Sequence, residues 1–164
     1  MMNDAKLYLR RVNPEDVDLL YKWANDPESR RNSFNQDVIE YEDHVKWFNS
    51  TLHDESVMQF ILMNGDSPVG QIRVVIKDDV GEISYSISPD ERGRGYGKHI
   101  IQMLKGLVTS DYPHIKKLVG KVKPDNAPSQ RCFSENAFRE TYRQFEYDTA
   151  KVDITSGGGV KPRE

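Results

Sequence analysis

The residues best suited to chemistry lie in one stretch. Glu82-Ile-Ser-Tyr-Ser-Ile-Ser88 runs directly into Pro89-Asp-Glu-Arg-Gly-Arg-Gly-Tyr-Gly97, a glycine-dense turn, and Ile100, Ile101, Leu104, Leu107 and Val108 then recur at helical spacing. A helix beginning at such a turn points unpaired N–H groups and the positive end of its dipole outward, which makes an anion site. Glycine at positions 93, 95 and 97 removes Cβ atoms that would hold phosphate oxygens off the backbone. Arg92, Arg94 and Lys98 add positive charge, and Tyr96 lies within the same turn. Two common phosphate motifs do not fit. Lys98 is followed by His99 where a P-loop needs Ser or Thr, and the dinucleotide fingerprint would need glycine where Lys98 stands.

The flanking elements must position this turn. Lys6 to Val12 predicts a first strand, and Asn13-Pro14-Glu15-Asp16 a helix start with an Asn cap, an early proline and acids facing the dipole. Val17, Leu20, Tyr21 and Ala24 share one helical face, and the helix should end near Asn25-Asp26-Pro27. Ser29 to Ile39 is polar and reads as an irregular segment. A second helix from Glu42 to about Leu52 would bury Val45, Phe48 and Leu52 and turn a neighbouring stripe of His44, Trp47 and Thr51 toward a cavity. Val57 to Met63 and Pro68 to Lys77 flank an Asn64-Gly65 turn, and with Gly81 to Ser88 they predict three consecutive antiparallel strands. The helix from Gly95 to Ser110 and a strand from Lys116 to Val122 imply a right-handed crossover with local parallel pairing. Ala127 to Asn136 predicts a short helix and Phe138 to Asp148 terminal strand material.

Composition narrows the function classes. With 164 residues, 37% hydrophobic and 30% charged, the chain has the size and balance of one globular domain. Residues 1–154 are assigned to that domain and 155–164, with Gly157-Gly158-Gly159, to a flexible tail. No apolar run approaches a membrane span and no secretory pattern opens the sequence, so a cytoplasmic protein without membrane partners is expected. The single cysteine, Cys132, gives neither a disulfide nor zinc-ligand spacing, so no metal is expected. A net charge of −3 argues against nucleic acid as a partner.

Arg92-x-x-Gly95-x-Gly97 resembles the Gln/Arg-x-x-Gly-x-Gly/Ala pyrophosphate motif of GNAT acetyltransferases. Asn126-Ala-Pro-Ser129, followed by Phe133-Ser-Glu-Asn-Ala-Phe138, resembles that family's Asn-x-x-Ser and Tyr/Phe-x-x-x-Gly-Phe segment. The resemblance covers about residues 6 to 148. It implies an α+β GNAT fold, a mixed and mostly antiparallel sheet splayed at an acetyl-CoA site and flanked by about four helices. Cofactor contacts would then come from residues 92 to 98, Asn126, Ser129 and Phe133, and a backbone N–H at Ile87 or Ser88 would serve as oxyanion donor. Two positions depart from the family pattern: Ala137 stands where glycine is usual, and Phe133 where many members carry a proton-donating tyrosine.

The same resemblance implies direct transfer of acetyl to an amine. An alkyl amine with a pKa of about 10.4 must lose a proton before it attacks, and the departing thiolate, like a cysteine at about 8.5, benefits from a donor. Glu82 is the candidate base, directly or through water, because Glu82-Ile-Ser-Tyr-Ser-Ile resembles the Glu-Ile-Gly-Tyr-Trp-Ile strand of ribosomal-protein N-terminal acetyltransferases. Ser129 is the candidate acid, with Tyr85 as the other donor.

Acceptor choice falls to the first two helices and their loop. Trp23-Ala-Asn-Asp-Pro-Glu-Ser-Arg-Arg and His44-Val-Lys-Trp-Phe48 resemble elements of nucleotide-sugar N-acetyltransferases. That resemblance implies an amino-sugar acceptor met by Asn25, Arg30 or Arg31, Phe34, His44 and Trp47, with arginine for a diphosphate and aromatics for stacking. Protein N-terminal acetylation and a non-catalytic acyl-CoA sensor are the alternatives. A homodimer joined through terminal strands would be ordinary for such a domain.

Overall fold

The computed structural model describes residues 6–150. Five strands form one sheet in the order β1-β2-β3-β4-β5: β1 Leu7–Arg11, β2 Val57–Asn64, β3 Ser67–Lys77, β4 Val80–Ile87 and β5 Lys117–Gly120. The first four pair antiparallel, and β5 pairs parallel with β4. The β2–β3 hairpin turns at Gly65 with φ 59°, a conformation glycine adopts freely.

Five α-helices flank the sheet: α1 Val17–Ala24, α2 Pro27–Asn32, α3 Tyr41–Leu52, α4 Tyr96–Asp111 and α5 Ala127–Glu135. A 3-10 turn, Pro14–Asp16, leads into α1 and carries the Asn cap anticipated at Asn13, with Asp16 completing a capping box. One face of the sheet packs on α4 and α5 through Ile72, Val74, Ile83, Ile100, Ile101, Leu104 and Phe133. The other face packs on α1 and α3 through Leu20, Trp23, Phe48, Ile61 and Met63. The second cluster draws on β2 and leaves the same face of β3 and β4 to the polar residues Gln71, Arg73, Glu82, Ser84 and Ser86. Those residues form an open shelf beside α3.

Four expectations are corrected. The segment after Pro27 is not irregular throughout, because Asp26 caps a short helix by accepting from Ser29 N at 3.1 Å and Pro27 supplies a preset first turn. On α3, His44 is buried beside Phe48, whereas Val45 and Leu52 are only partly covered. The stripe assigned to a cavity therefore splits, with His44 inside and Trp47 outside. No strand forms beyond Phe138 among the described residues. Phe138 anchors on the α4/α5 core, but Tyr142, Phe145 and Tyr147 are exposed on chain that pairs with nothing. The tail assigned to 155–164 lies outside the described residues.

Two local features carry measurable energy. Ala137 closes α5 with φ 64°, a left-handed conformation that costs an L-residue roughly 1–2 kcal/mol, which accounts for the family's glycine there. Ala137→Gly should therefore stabilise the protein by on the order of 1 kcal/mol, read as a rise in the denaturation midpoint. Asp16 is buried, binds the Arg10 fork through two 2.8 Å bonds and accepts from Asn13 N at 2.9 Å. Burial pushes its carboxyl up, but the Arg10 and Asn13 bonds outweigh that and hold it below its ordinary value. A carboxyl lowered by folding stabilises above the unfolded value of about 3.9, and that stability is lost as pH falls through the folded value. Asp16→Ala should cost about 1–3 kcal/mol at pH 7, and the gap to wild type should close under stronger acid in pH-dependent urea melts.

Candidate active site

The sheet opens into a fork. Parallel pairing of β4 with β5 covers only Val80↔Lys117 to Ile83↔Gly120, after which β4 continues to Ile87 without its neighbour. Ser88 N donates to Val69 O at 2.8 Å, so the Ser88 N–H is spent inside the sheet. Backbone N–H groups alternate between the two edges of a strand, so the Ile87 N–H points the other way, into the fork. Of the two oxyanion candidates, the geometry leaves Ile87.

Just beyond the fork, Gly93 and Gly95 take φ 77° and 84°, conformations that favour glycine, and Gly93, Arg94 and Gly95 are exposed. Gly95 caps α4, whose first N–H groups face the same opening. Gly97 is also a packing position. A Cβ there would lie 2.9 Å from Cys132 Sγ and 3.5 Å from the Tyr85 ring, so Gly97 lets α4 close on α5 and β4.

The side chains of this turn are also differently employed. Arg92 donates to Asp26 at 2.5 Å and Glu28 at 2.7 Å, tying the turn to α2 instead of extending a free charge to an anion. Tyr96 is buried and accepts from Asn64 Nδ2 at 2.9 Å. Arg94 pairs with Glu91 at 3.1 Å, and Lys98 approaches Glu135 at 3.6 Å, both at the surface. The opening before α4 is thus lined by the exposed backbone of Gly93 to Gly95, with Arg94 and Lys98 at the surface beside it.

At the base of the fork Phe133 packs against Gly120, where any Cβ would overlap its ring, and meets Tyr85 edge-on at 5.9 Å. Tyr85 Oη donates to Ser129 Oγ at 3.0 Å. Burial raises the Tyr85 phenol well above its ordinary value, so the phenol keeps its proton at neutral pH. Asn126 caps α5 by accepting from Ser129 N at 3.3 Å and so fixes Ser129 at the helix start.

On the opposite face, Glu82, Ser84 and Ser86 follow one another along β4. Gln59 Nε2 donates to Gln71 Oε1 at 3.0 Å, and Gln71 Nε2 donates to Ser86 Oγ at 3.1 Å. Glu82 pairs with Lys121 at 3.2 Å. Ser84, Ser86 and this glutamine ladder escaped notice in the sequence, where they appear only as polar residues in alternating strands. The register that aligns them is visible only across three strands.

A family model described as "Acetyltransferase (GNAT) domain" matches residues 6–139. The chain belongs to the GNAT family and is an N-acetyltransferase. It is 24% identical over 126 residues to the uncharacterized N-acetyltransferase YfmK of Bacillus subtilis (strain 168), covering 75% of this chain and 78% of that protein. The fold is similar to spermidine N-acetyltransferase from Vibrio cholerae, solved with CoA and spermine, with a TM-score of 0.78, 17% identity and 84% and 83% of the two chains covered. It is also similar to the aminoglycoside acetyltransferase AAC(6')-Ib, solved with coenzyme A, with a TM-score of 0.72, 22% identity and 82% and 85% covered.

In this GNAT domain the acceptor residues named from sequence do not gather into one site. Asn25 clamps the Ile39 backbone through two 2.9 Å bonds, and Arg30 donates to the carbonyls of Ala24, Asn35 and Asp37, so both hold the loop between α2 and α3 in shape. His44 is buried and donates from Nε2 to Val17 O at 2.9 Å. Phe34, 68% exposed, Trp47, 36% exposed, and the surface residue Arg31 present surface to a ligand. The contact at the base of the fork can be tested directly. Gly120→Ala should destabilise by about 1–3 kcal/mol through overpacking, and adding Phe133→Leu should recover part of the loss in thermal melts.

Proposed function

We propose that this domain acetylates the primary amine of a small molecule by direct transfer from acetyl-CoA, with a nucleotide-linked amino sugar as preferred acceptor. The observation that carries the reading is the fork, with the Ile87 N–H turned into it beside an open α4 N-terminus. Backbone N–H groups at Gly93 to Gly97 bind the diphosphate, and the fork admits the thioester arm between β4 and β5. The Ile87 N–H then donates to the thioester carbonyl oxygen as negative charge develops there.

The neutral amine attacks the carbonyl carbon, an amide C–N bond forms, the C–S bond breaks, and the thiolate takes a proton. Tyr85 donates to Ser129 Oγ, which leaves the serine's own hydrogen free for the departing sulfur. Ser129 is therefore the acid, restored by a proton from solvent, and Tyr85 holds the serine hydroxyl in place while keeping its own proton, an arrangement that needs no hydroxyl at Phe133. The proton lost by the amine leaves on the acceptor face. Glu82 lies five residues from Ile87, about 17 Å along a strand at about 3.3 Å per residue, so it accepts that proton through Ser86, Ser84 and water. Ser86, held by Gln71, stands nearest the reacting centre.

Exposed Trp47 and Phe34 suit stacking on a base or sugar ring. The similar structures were solved with spermine or with coenzyme A, and both of those enzymes act on polyvalent amines by name, which supports a small-molecule acceptor. The exposed aromatics at 142, 145 and 147 accord with a homodimer through this segment.

Calorimetry should show one molecule of CoA bound per chain, and no affinity for CoA would overturn the acetyltransferase reading. Glu82→Gln and Ser129→Ala should each lower kcat about 10²-fold, and Tyr85→Phe less; normal kcat in all three would reject these roles. Acceptor screening should favour UDP-linked 4-amino sugars over peptides with free N-termini. Activity on peptides alone would replace the sugar acceptor with the N-terminal one, and CoA binding without any acetylation would favour the sensor.

A further inference from the structure

Arg73 on β3 lies between Gln59 of β2 and Ser84 of β4, on the polar shelf of the acceptor face. Its guanidinium carbon sits 4.9 Å from the centre of the Trp47 ring. The Nε is buried and has no hydrogen-bond partner. Among the described residues no carboxylate forms an ion pair with it, since Glu82, the acid whose field reaches it, is bonded to Lys121.

Other covered arginines in this protein are satisfied. Arg10 has Asp16, Arg92 has Asp26 and Glu28, and Arg30 has three backbone carbonyls. A guanidinium offers five N–H donors and cannot discharge itself, so withdrawing it from water without an acceptor is costly. Stacking on Trp47 offsets part of that cost but leaves the Nε–H unpaired, while the terminal N–H groups carry no protein partner among the described residues. The planar fork matches the two oxygens of a phosphate or carboxylate.

We propose that Arg73 is an anion-recognition residue that binds a phosphate or carboxylate group of the acceptor, with Trp47 holding the guanidinium flat against the shelf. Ser84, its cross-strand partner, is three residues from Ile87, so the anionic group lies about 10 Å along the strand from the attacked carbonyl. The acceptor is therefore an amine that carries negative charge elsewhere in the molecule. This deepens the acetyltransferase reading and rests on it. It also separates this shelf from a site suited to a wholly cationic amine.

The test combines binding and specificity on wild type, Arg73→Met and Arg73→Lys. With saturating CoA filling the diphosphate cradle, calorimetry with UDP and with succinate reports the second anion site and tells phosphate from carboxylate. Wild type should bind one of them, Arg73→Met should weaken that affinity about 10- to 100-fold, and Arg73→Lys should fall between. In turnover, Arg73→Met should raise KM for a UDP-linked amino sugar by a similar factor with much less effect on kcat. The preference for that acceptor over the same sugar without its nucleotide should collapse. The affinity for CoA itself should not move, which separates failure here from failure of the acetyltransferase reading. Equal loss on anionic and anion-free acceptors, or no binding of either probe to wild type, would overturn the proposal. Should Arg73→Met not fold, unchanged probe affinity in Arg73→Lys would do the same.

Discussion

The contact of the Phe133 ring with Gly120 sits where β5 leaves β4. A side chain at position 120 would occupy the space of the ring, and without the ring the base of the fork would be hollow. Phe133 also meets Tyr85 on β4 and Phe138 beyond α5, so one aromatic cluster joins the strand that carries Ile87 to the helix that carries Ser129. The fork's position fixes which backbone N–H groups go unpaired. Phenylalanine at this place is a packing residue.

The two faces of the sheet divide the work. The α4/α5 face is apolar and closely packed, and it supports the cofactor turn through glycine contacts that leave no room for side chains. The other face is apolar only under α1 and α3, and over β3 and β4 it becomes a polar shelf of glutamines, serines, Glu82 and Arg73. The Arg92 clamp to Asp26 and Glu28 links the sides, because it ties the glycine turn to α2 and the loop that follows it. Burial pushes the Asp26 carboxyl up, but its bonds to Arg92 and to the α2 backbone hold it below its ordinary value and so keep the clamp charged.

Much of the architecture was legible in the residues. The order of strands and helices, the Asn13 cap, the Asn64-Gly65 hairpin and the strand-to-helix glycine turn follow from local patterns that hold in any tertiary setting. The failures share a cause. His44 and Trp47 are three residues apart on one helix face, and whether such a pair meets core or solvent depends on what packs against it. Asn25 and Arg30 looked available because their partners are backbone carbonyls and amides, which sequence does not display. The stretch after Phe138 alternates like a strand, but a strand needs a neighbour, and none is present among the described residues.

The sequence by itself determined the family, through two motifs at the right separation, and the local conformations that follow from glycine, proline and capping residues. Tertiary structure decided which donors remain free. Ser88 is spent in the sheet while Ile87 is not, Arg92 is neutralised by α2 while Arg73 meets no acid, and Gly97 serves packing while Gly93 and Gly95 shape the turn. Each of these outcomes turns on a partner distant in the chain. Residue type sets what a group can bond, and only the assembled fold sets what it has left to offer a ligand.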